Sequence, residues 1–210
     1  MAIRITTHET DEDLTGKSHW WGFPDLPEGV DFPVAAIHDD DEKEGEDLLT
    51  FICQIRLEDI APYDREGLLP HTGMLYFFAE LDYFLGDLDA HSEGLGFWSG
   101  NSYKVIYSPE TDDLHTHRVQ WSDGSDACLP AEAMSFEEAP ARADGTKLLG
   151  LPFFEEVSDE TPGDVSLLQL DEEERWGLRF YDCGMLNFLI SKSALRERRF
   201  DSTRLYFHSL

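Results

Sequence analysis

The feature that most restricts how this chain can fold is a glutamine set in the middle of an apolar run, and it is written twice. FICQI (residues 51–55) centres on Gln54, and LLQL (167–170) carries Gln169. A glycine then opens a second apolar run in each case, GMLYFF from Gly73 and GMLNFL from Gly184. Around Gln54, Leu49, Phe51, Cys53, Ile55 and Leu57 alternate with Leu48, Thr50, Ile52, Gln54 and Arg56, the period-two signature of a strand. After the turn LPHTG (69–73), where Pro70 fixes φ and Gly73 is free to take positive φ, Leu75, Phe77 and Ala79 lie opposite Met74, Tyr76 and Phe78. The later copy sets Ser166, Leu168 and Leu170 against Val165, Leu167, Gln169 and Asp171. It turns at DCG (182–184), then sets Leu186, Phe188 and Ile190 against Met185, Asn187 and Leu189.

Superimposing Gln54 on Gln169 and Gly73 on Gly184 matches Cys53 and Ile55 with Leu168 and Leu170, and Leu75 and Phe77 with Leu186 and Phe188. The connections differ, 19 residues from glutamine to glycine in the first copy and 15 in the second. The expectation is an α+β, predominantly β chain. It would carry antiparallel sheets in two related halves, about 17–108 and 117–208, within one compact domain, 1–210, with a few short helices. A buried amide needs partners for two donors and a carbonyl. Three roles stay open. Each glutamine faces solvent, or fixes register by bonding a neighbouring loop, or Gln54 and Gln169 line a groove between the halves together with Trp21 and Trp176.

The remaining segments are less regular. Residues 3–6 read as an edge strand and 8–14 as a short acidic helix or loop. KSHWWGFPDLPEGVDFP (17–33) has too many prolines for a long helix or central strand and reads as an extended arm held by Trp20, Trp21, Phe23 and Leu26. DDDEKEGED (39–47) reads as a solvated loop. YKVIYS (103–108) and HRVQW (117–121) predict a strand pair, and 122–145 a long excursion with one helical turn near 131–136. LEDIAP (57–62) and EEERWG (172–177) predict brief helical turns. Ser193 would cap a short helix over 194–200, and TRLYFH (203–208) would close the fold as a strand.

With 210 residues, 41% of them hydrophobic and 12% aromatic, the chain can bury a real core despite its charge. Cys53, Cys128 and Cys183 form no close-spaced motif, which argues against a disulfide framework or zinc knuckle, and Cys53 and Cys183 read as small core residues in a reducing compartment. No stretch approaches a membrane span, and the first residues lack a secretory apolar core, so a soluble cytoplasmic protein is expected. Forty-four acids against 16 bases give a net charge of −28, and only five of the bases are lysines. Such a surface repels nucleic acid and anionic membranes. It suits salt adaptation or an encounter with a basic protein partner. The oligomeric state is left open.

No GxSxG, Walker, GxGxxG or HExxH motif is present, so neither a cofactor nor a catalytic residue is assigned. His115 and His117, two apart with Asp112 and Asp113 upstream, are the best metal pair, but no third ligand is suggested by spacing and no metal is expected.

The series KSHWWGFPDLP, LLTFICQIRLEDI, LPHTGMLYFF, KLLGLP, LLQLDEEERWG, DCGMLNFLI and RRFDSTRLYF resembles, in order and over residues 17–207, the YwqG-like bacterial proteins. The chain departs from them at Trp21-Gly22, at Phe32 before Pro33, and in the four residues 178–181 separating Trp176-Gly177 from the DCG turn. The resemblance implies a mostly β fold with two related halves and supplies no reaction. Some members are thought to accompany bacterial toxins, which would make them immunity-type partners. The function expected is therefore non-enzymatic binding of a basic protein by an acidic surface. The rivals are a small-molecule or enzymatic site in the inter-half cleft, and an ordinary domain with a salt-adapted surface.

Overall fold

The computed structural model describes residues 1–38 and 44–210. The strands run β1 (Ala2–Glu9), β2 (His19–Trp20), β3 (Asp25–Leu26), β4 (Val34–His38), β5 (Glu44–Leu48), β6 (Thr50–Arg56), β7 (Met74–Ala79) and β8 (Gly96–Phe97). They continue through β9 (Tyr103–Ser108), β10 (His115–Thr116), β11 (Glu132–Ala139), β12 (Lys147–Leu148), β13 (Asp164–Asp171), β14 (Met185–Ser191) and β15 (Arg204–His208). Short helices α1 (Leu57–Ile60), α2 (Glu155–Glu160) and α3 (Lys192–Arg196) decorate them. The fold is mostly β, as expected, and its main element is one curled antiparallel sheet of eleven strands ordered β8-β15-β14-β13-β12-β1-β11-β2-β6-β7-β9.

That order reads alike outward from the centre. Beside β1 come β12, β13, β14 and β15; beside β11 come β2, β6, β7 and β9. The two flanks cross over in sequence, because the N-terminal strand β1 joins the later flank and β11 joins the earlier one. Curling lets the flanks share an interior. Cys53, Ile55, Leu75 and Phe77 lie in one cluster with Leu168, Leu170, Leu186 and Phe188, and the rings of Phe77 and Phe188 stand 5.3 Å apart. A smaller core of Leu49, Phe51, Met74, Tyr76 and Phe78 fills the outer face of the earlier flank, beneath Leu26 and Ala35. Burial on both faces is why these strands read as nearly continuous apolar runs.

Several expectations change. The strict alternation over 48–57 breaks at a β-bulge: Phe51 pairs with Phe78 and Cys53 with Phe77, leaving Ile52 as the extra residue. Leu49 and Phe51 therefore face the smaller core while Ile52, Cys53 and Ile55 face the main one. β13 carries the same irregularity at Leu167, between Ser166 and Leu168. The edge strand expected at 3–6 is the eight-residue central strand β1, paired along its whole length with β11, and β11 replaces the excursion and helical turn expected over 131–136. Their outward positions are polar, so a central pair looks like surface in the sequence. The 17–33 arm contributes β2 to the middle of the sheet, a two-residue contact short enough to precede Pro24.

HRVQW does not pair with β9, whose partner is β7; β10 pairs instead with β3, and a hairpin around Gln120 and Asp126 follows. Within 39–47, Glu44–Leu48 is strand β5, and residues 39–43 fall outside the described residues. The expected cap, Ser193, lies inside α3; Ser191 caps it, its hydroxyl accepting from Ala194 N at 3.1 Å. Cys53 is buried, whereas Cys183, at φ 52° in the turn before β14, is exposed rather than a core residue. Among the described residues no helix is long and apolar enough to cross a membrane.

Candidate functional site

The two glutamines perform one job in two places. In β6, Gln54 lies beside His19 of β2 and Tyr76 of β7; in β13, Gln169 lies beside Lys147 of β12 and Asn187 of β14. Gln54 Oε1 accepts from Asp25 N at 2.8 Å and its Nε2 donates to Lys17 O at 2.9 Å. Gln169 Oε1 accepts from Phe153 N at 2.8 Å and its Nε2 donates to Gly145 O at 2.7 Å. Asp25 and Phe153 each lie five residues beyond the partner of the strand residue preceding glutamine, and Lys17 and Gly145 lie three before it. Each side chain thus staples both ends of a kinked arm to the sheet.

The kink has a common sequence. Trp21-Gly22-Phe23-Pro24 follows β2 and Leu149-Gly150-Leu151-Pro152 follows β12, and in both the first two residues are left-handed: φ 53° and 74° in one, 58° and 85° in the other. Trp21 N and Leu149 N donate to the carbonyls of the bulge residues Ile52 and Leu167. This third correspondence lies in two phrases that the sequence displays plainly; the signal was the shared Gly-x-Pro after a strand.

Beside Gln169, Lys147 is fully buried, its Nζ donating to Gln169 Oε1 at 2.8 Å and to Ala143 O. Burial lowers its ammonium to about 7, against the pull of Asp144 and Asp171 and with help from Arg142 and Arg4. The unfolded chain keeps the proton up to about 10.5, so between these values it is the unfolded state that binds more protons and stability rises with pH. Denaturant titrations from pH 7 to 10 should show Lys147→Met losing part of that rise; an identical slope in both proteins would refute the lowered proton affinity of the buried Lys147 amine.

The corresponding place beside Gln54 is held by His19. Its Nδ1 lies 2.8 Å from Trp21 O, and its Nε2 lies 3.8 Å from Asp25 Oδ2. Burial alone would raise the Asp25 carboxyl, but the neighbouring His19 ring and hydrogen bonds from Thr116, Gly16 and Gln54 outweigh it and hold the group at about 2. An Asp–His pair on the wall of a cavity of about 400 Å³ has the look of a catalytic dyad. Yet Asp25 already satisfies three other donors and His19 is spent on a backbone carbonyl. The pair is a fastener for the arm.

Of the four residues expected in a groove, the structure brings Trp21 and Trp176 together and leaves Gln54 and Gln169, both without solvent exposure, inside separate flanks. Trp21 and Trp176 meet edge to face at 5.4 Å, and Trp176 stacks on Trp20 at 5.5 Å and 15°. Trp176 is pinned by its own Nε1, which donates to Glu132 Oε1 at 2.9 Å, while Arg175 bonds the same carboxylate and lies over the indole at 5.6 Å. Trp21 and Trp176 line a cavity of about 390 Å³ whose other walls include Phe23, Phe32, Phe51 and Trp121. Trp121, 63% exposed on the hairpin after β10, forms part of its rim. The indole N–H groups of Trp20 and Trp21 meet no acceptor among the described residues.

Asp47, Asp82 and Asp126 are the carboxylates on this cavity. Asp82 reaches solvent but stands against packed atoms and accepts from Thr50 Oγ1 at 2.7 Å. Partial desolvation, with Asp47 and Asp87 nearby, keeps its carboxyl above the usual range. His115 and His117 line no part of this cavity, and among the described residues no group of three or more His, Cys, Asp and Glu side chains is placed to hold a metal ion.

These elements fall within one recognised family. A family model described as "Domain of unknown function (DUF1963)" matches residues 18–139 and 114–208, and the chain belongs to that family. No curated protein matches the chain.

Proposed function

We propose that this protein binds a small molecule in the cavity where Trp21 and Trp176 meet. The observation that supports it is the aromatic lining of a 390 Å³ space built by five separate segments of chain: the 17–33 arm, the end of β5 with the start of β6, the turn after β7, the hairpin after β10 and the turn carrying Trp176. That volume and composition suit a ligand of modest size. A thermal-shift screen of small molecules, with tryptophan emission as second readout, tests the reading. A ligand held at 100 times its dissociation constant stabilises by about 2.7 kcal/mol, roughly 5–10 °C for a chain of this length. Ala127→Trp, which sets a large ring in the cavity, should abolish the shift. Ligands that bind this variant unchanged would count against the site.

A second reading is recognition of a basic protein partner, immunity-type pairing included. It is favoured by the −28 charge and by the ion pairing of the scarce bases. Arg4, Lys17, Arg65, Arg118, Arg175, Arg179, Lys192, Arg199 and Arg204 all lie against carboxylates, so the excess charge is acidic. Retention on immobilised basic proteins should weaken steadily with salt. Binding that ignores ionic strength, or its absence, opposes this reading.

A further inference from the structure

We propose that the ligand of the aromatic cavity is an organic cation, an ammonium or guanidinium compound carrying an apolar body; this rests on the small-molecule reading above. The argument starts from what the walls contain and what they lack. Trp21, Phe23, Phe32, Phe51, Trp121 and Trp176 present aromatic surface, and the polar groups of opposite character are acids: Asp47, Asp82 and Asp126. No lysine or arginine is among the described lining residues. Arg118 stands against Asp126, and Arg175 over Trp176 is held by Glu132, so both nearby guanidinium groups are already engaged; an anionic ligand would face Asp47 and Asp82, and a neutral apolar one would leave their field unused.

The three acids are not equivalent. Asp126 lies 3.8 Å from Arg118, whose guanidinium also sits 5.6 Å from the Phe23 ring. That pair is an internal example of what the cavity suits, a cation held between a carboxylate and an aromatic face. Asp47 stands near the end of β5 and Asp82 just past β7, where the Thr50 hydroxyl fixes it. A cation between them and the rings would gain both a charge-assisted contact and the quadrupole of the indoles. The overall charge of −28 adds a long-range field that draws cations in and turns anions away.

Two probes of one shape separate charge from size: benzyltrimethylammonium and its neutral carbon isostere, neopentylbenzene. Calorimetry and tryptophan quenching on the whole protein should give the cation an affinity about tenfold or more above the isostere. Asp47→Asn with Asp82→Asn should remove most of that preference and leave the isostere's binding unchanged. Glu155→Gln with Glu156→Gln, an acid pair on the distant helix α2, should change neither probe and so exposes adsorption to the acidic surface. Equal binding of both probes overturns the cation inference while the small-molecule reading stands. Binding of neither overturns the cation inference, and the small-molecule reading is then decided by the thermal-shift screen. A cation preference that survives the Asp47/Asp82 pair, or Ala127→Trp, also overturns the inference, because the cation is then bound elsewhere.

Discussion

Gln169→Ala should destabilise the protein by about 3–5 kcal/mol, since the change strips hydrogen bonds from several buried groups and leaves a void. Phe153 N and Gly145 O lose their partner, and the buried Lys147 ammonium keeps only Ala143 O as a strong acceptor. Gln54→Ala should behave alike but somewhat more mildly. It frees Asp25 N and Lys17 O, while the Asp25 carboxylate retains Gly16 N and Thr116 Oγ1 as donors. Gln169→Glu should fall between wild type and alanine, because a carboxylate still accepts from Lys147 and Phe153 but faces the Gly145 carbonyl with no proton to offer. Urea unfolding of the three variants measures this. The double variant adds a geometric test: glutamines acting in separate flanks give costs that sum to within about 0.5 kcal/mol, whereas groups sharing a groove would couple. Single losses below about 1 kcal/mol would remove the account of why this residue recurs.

The paired strands around both glutamines are legible because both their faces are buried, which makes each an apolar run, and because a glycine opens the second run of each pair. What the sequence hid has physical causes. The bulges at Ile52 and Leu167 insert one apolar residue into an apolar run, so nothing in the letters marks the change of face. β1 and β11 are central by topology, and their outward Arg4, Glu137 and Ser135 disguise them as surface. β2 and β12 have two residues each, too few to show any period. Of the four residues expected to share one groove, the Trp21 and Trp176 rings meet, while Gln54 and Gln169 lie buried in separate flanks. The other wall of the cavity comes from 119–129, whose fold is fixed by the β3–β10 pairing rather than by local pattern. Gln54 and Gln169 drew attention as polar letters in apolar text, and that signal marks a structural fastener as readily as a binding group.

Gly150→Ala should be at least as damaging as either glutamine change, costing about 3 kcal/mol or more. At φ +85° a side chain already carries a left-handed penalty of about 1–2 kcal/mol. Its Cβ would also stand 2.4 Å from Ala141 O, the oxygen that accepts from Leu151 N, and 2.9 Å from Ala2 Cβ. Neither neighbour is the free end of a flexible side chain, so backbone must move and the arm must part from β1. Gly22→Ala meets Ala131 Cβ at 2.7 Å from the matching position, at φ +74°, and should follow closely while also shifting Trp21 in the cavity wall. Gly163 supplies the control. It has nearly the same φ, +88°, and nothing within 4 Å of an added Cβ, so Gly163→Ala should show the left-handed penalty alone. The difference between Gly150→Ala and Gly163→Ala in one denaturant series therefore isolates the close approach of arm to sheet. If the two variants unfold at the same midpoint, the kinked arm is not clamped as described, and the cavity that depends on its partner at Gly22 loses its frame.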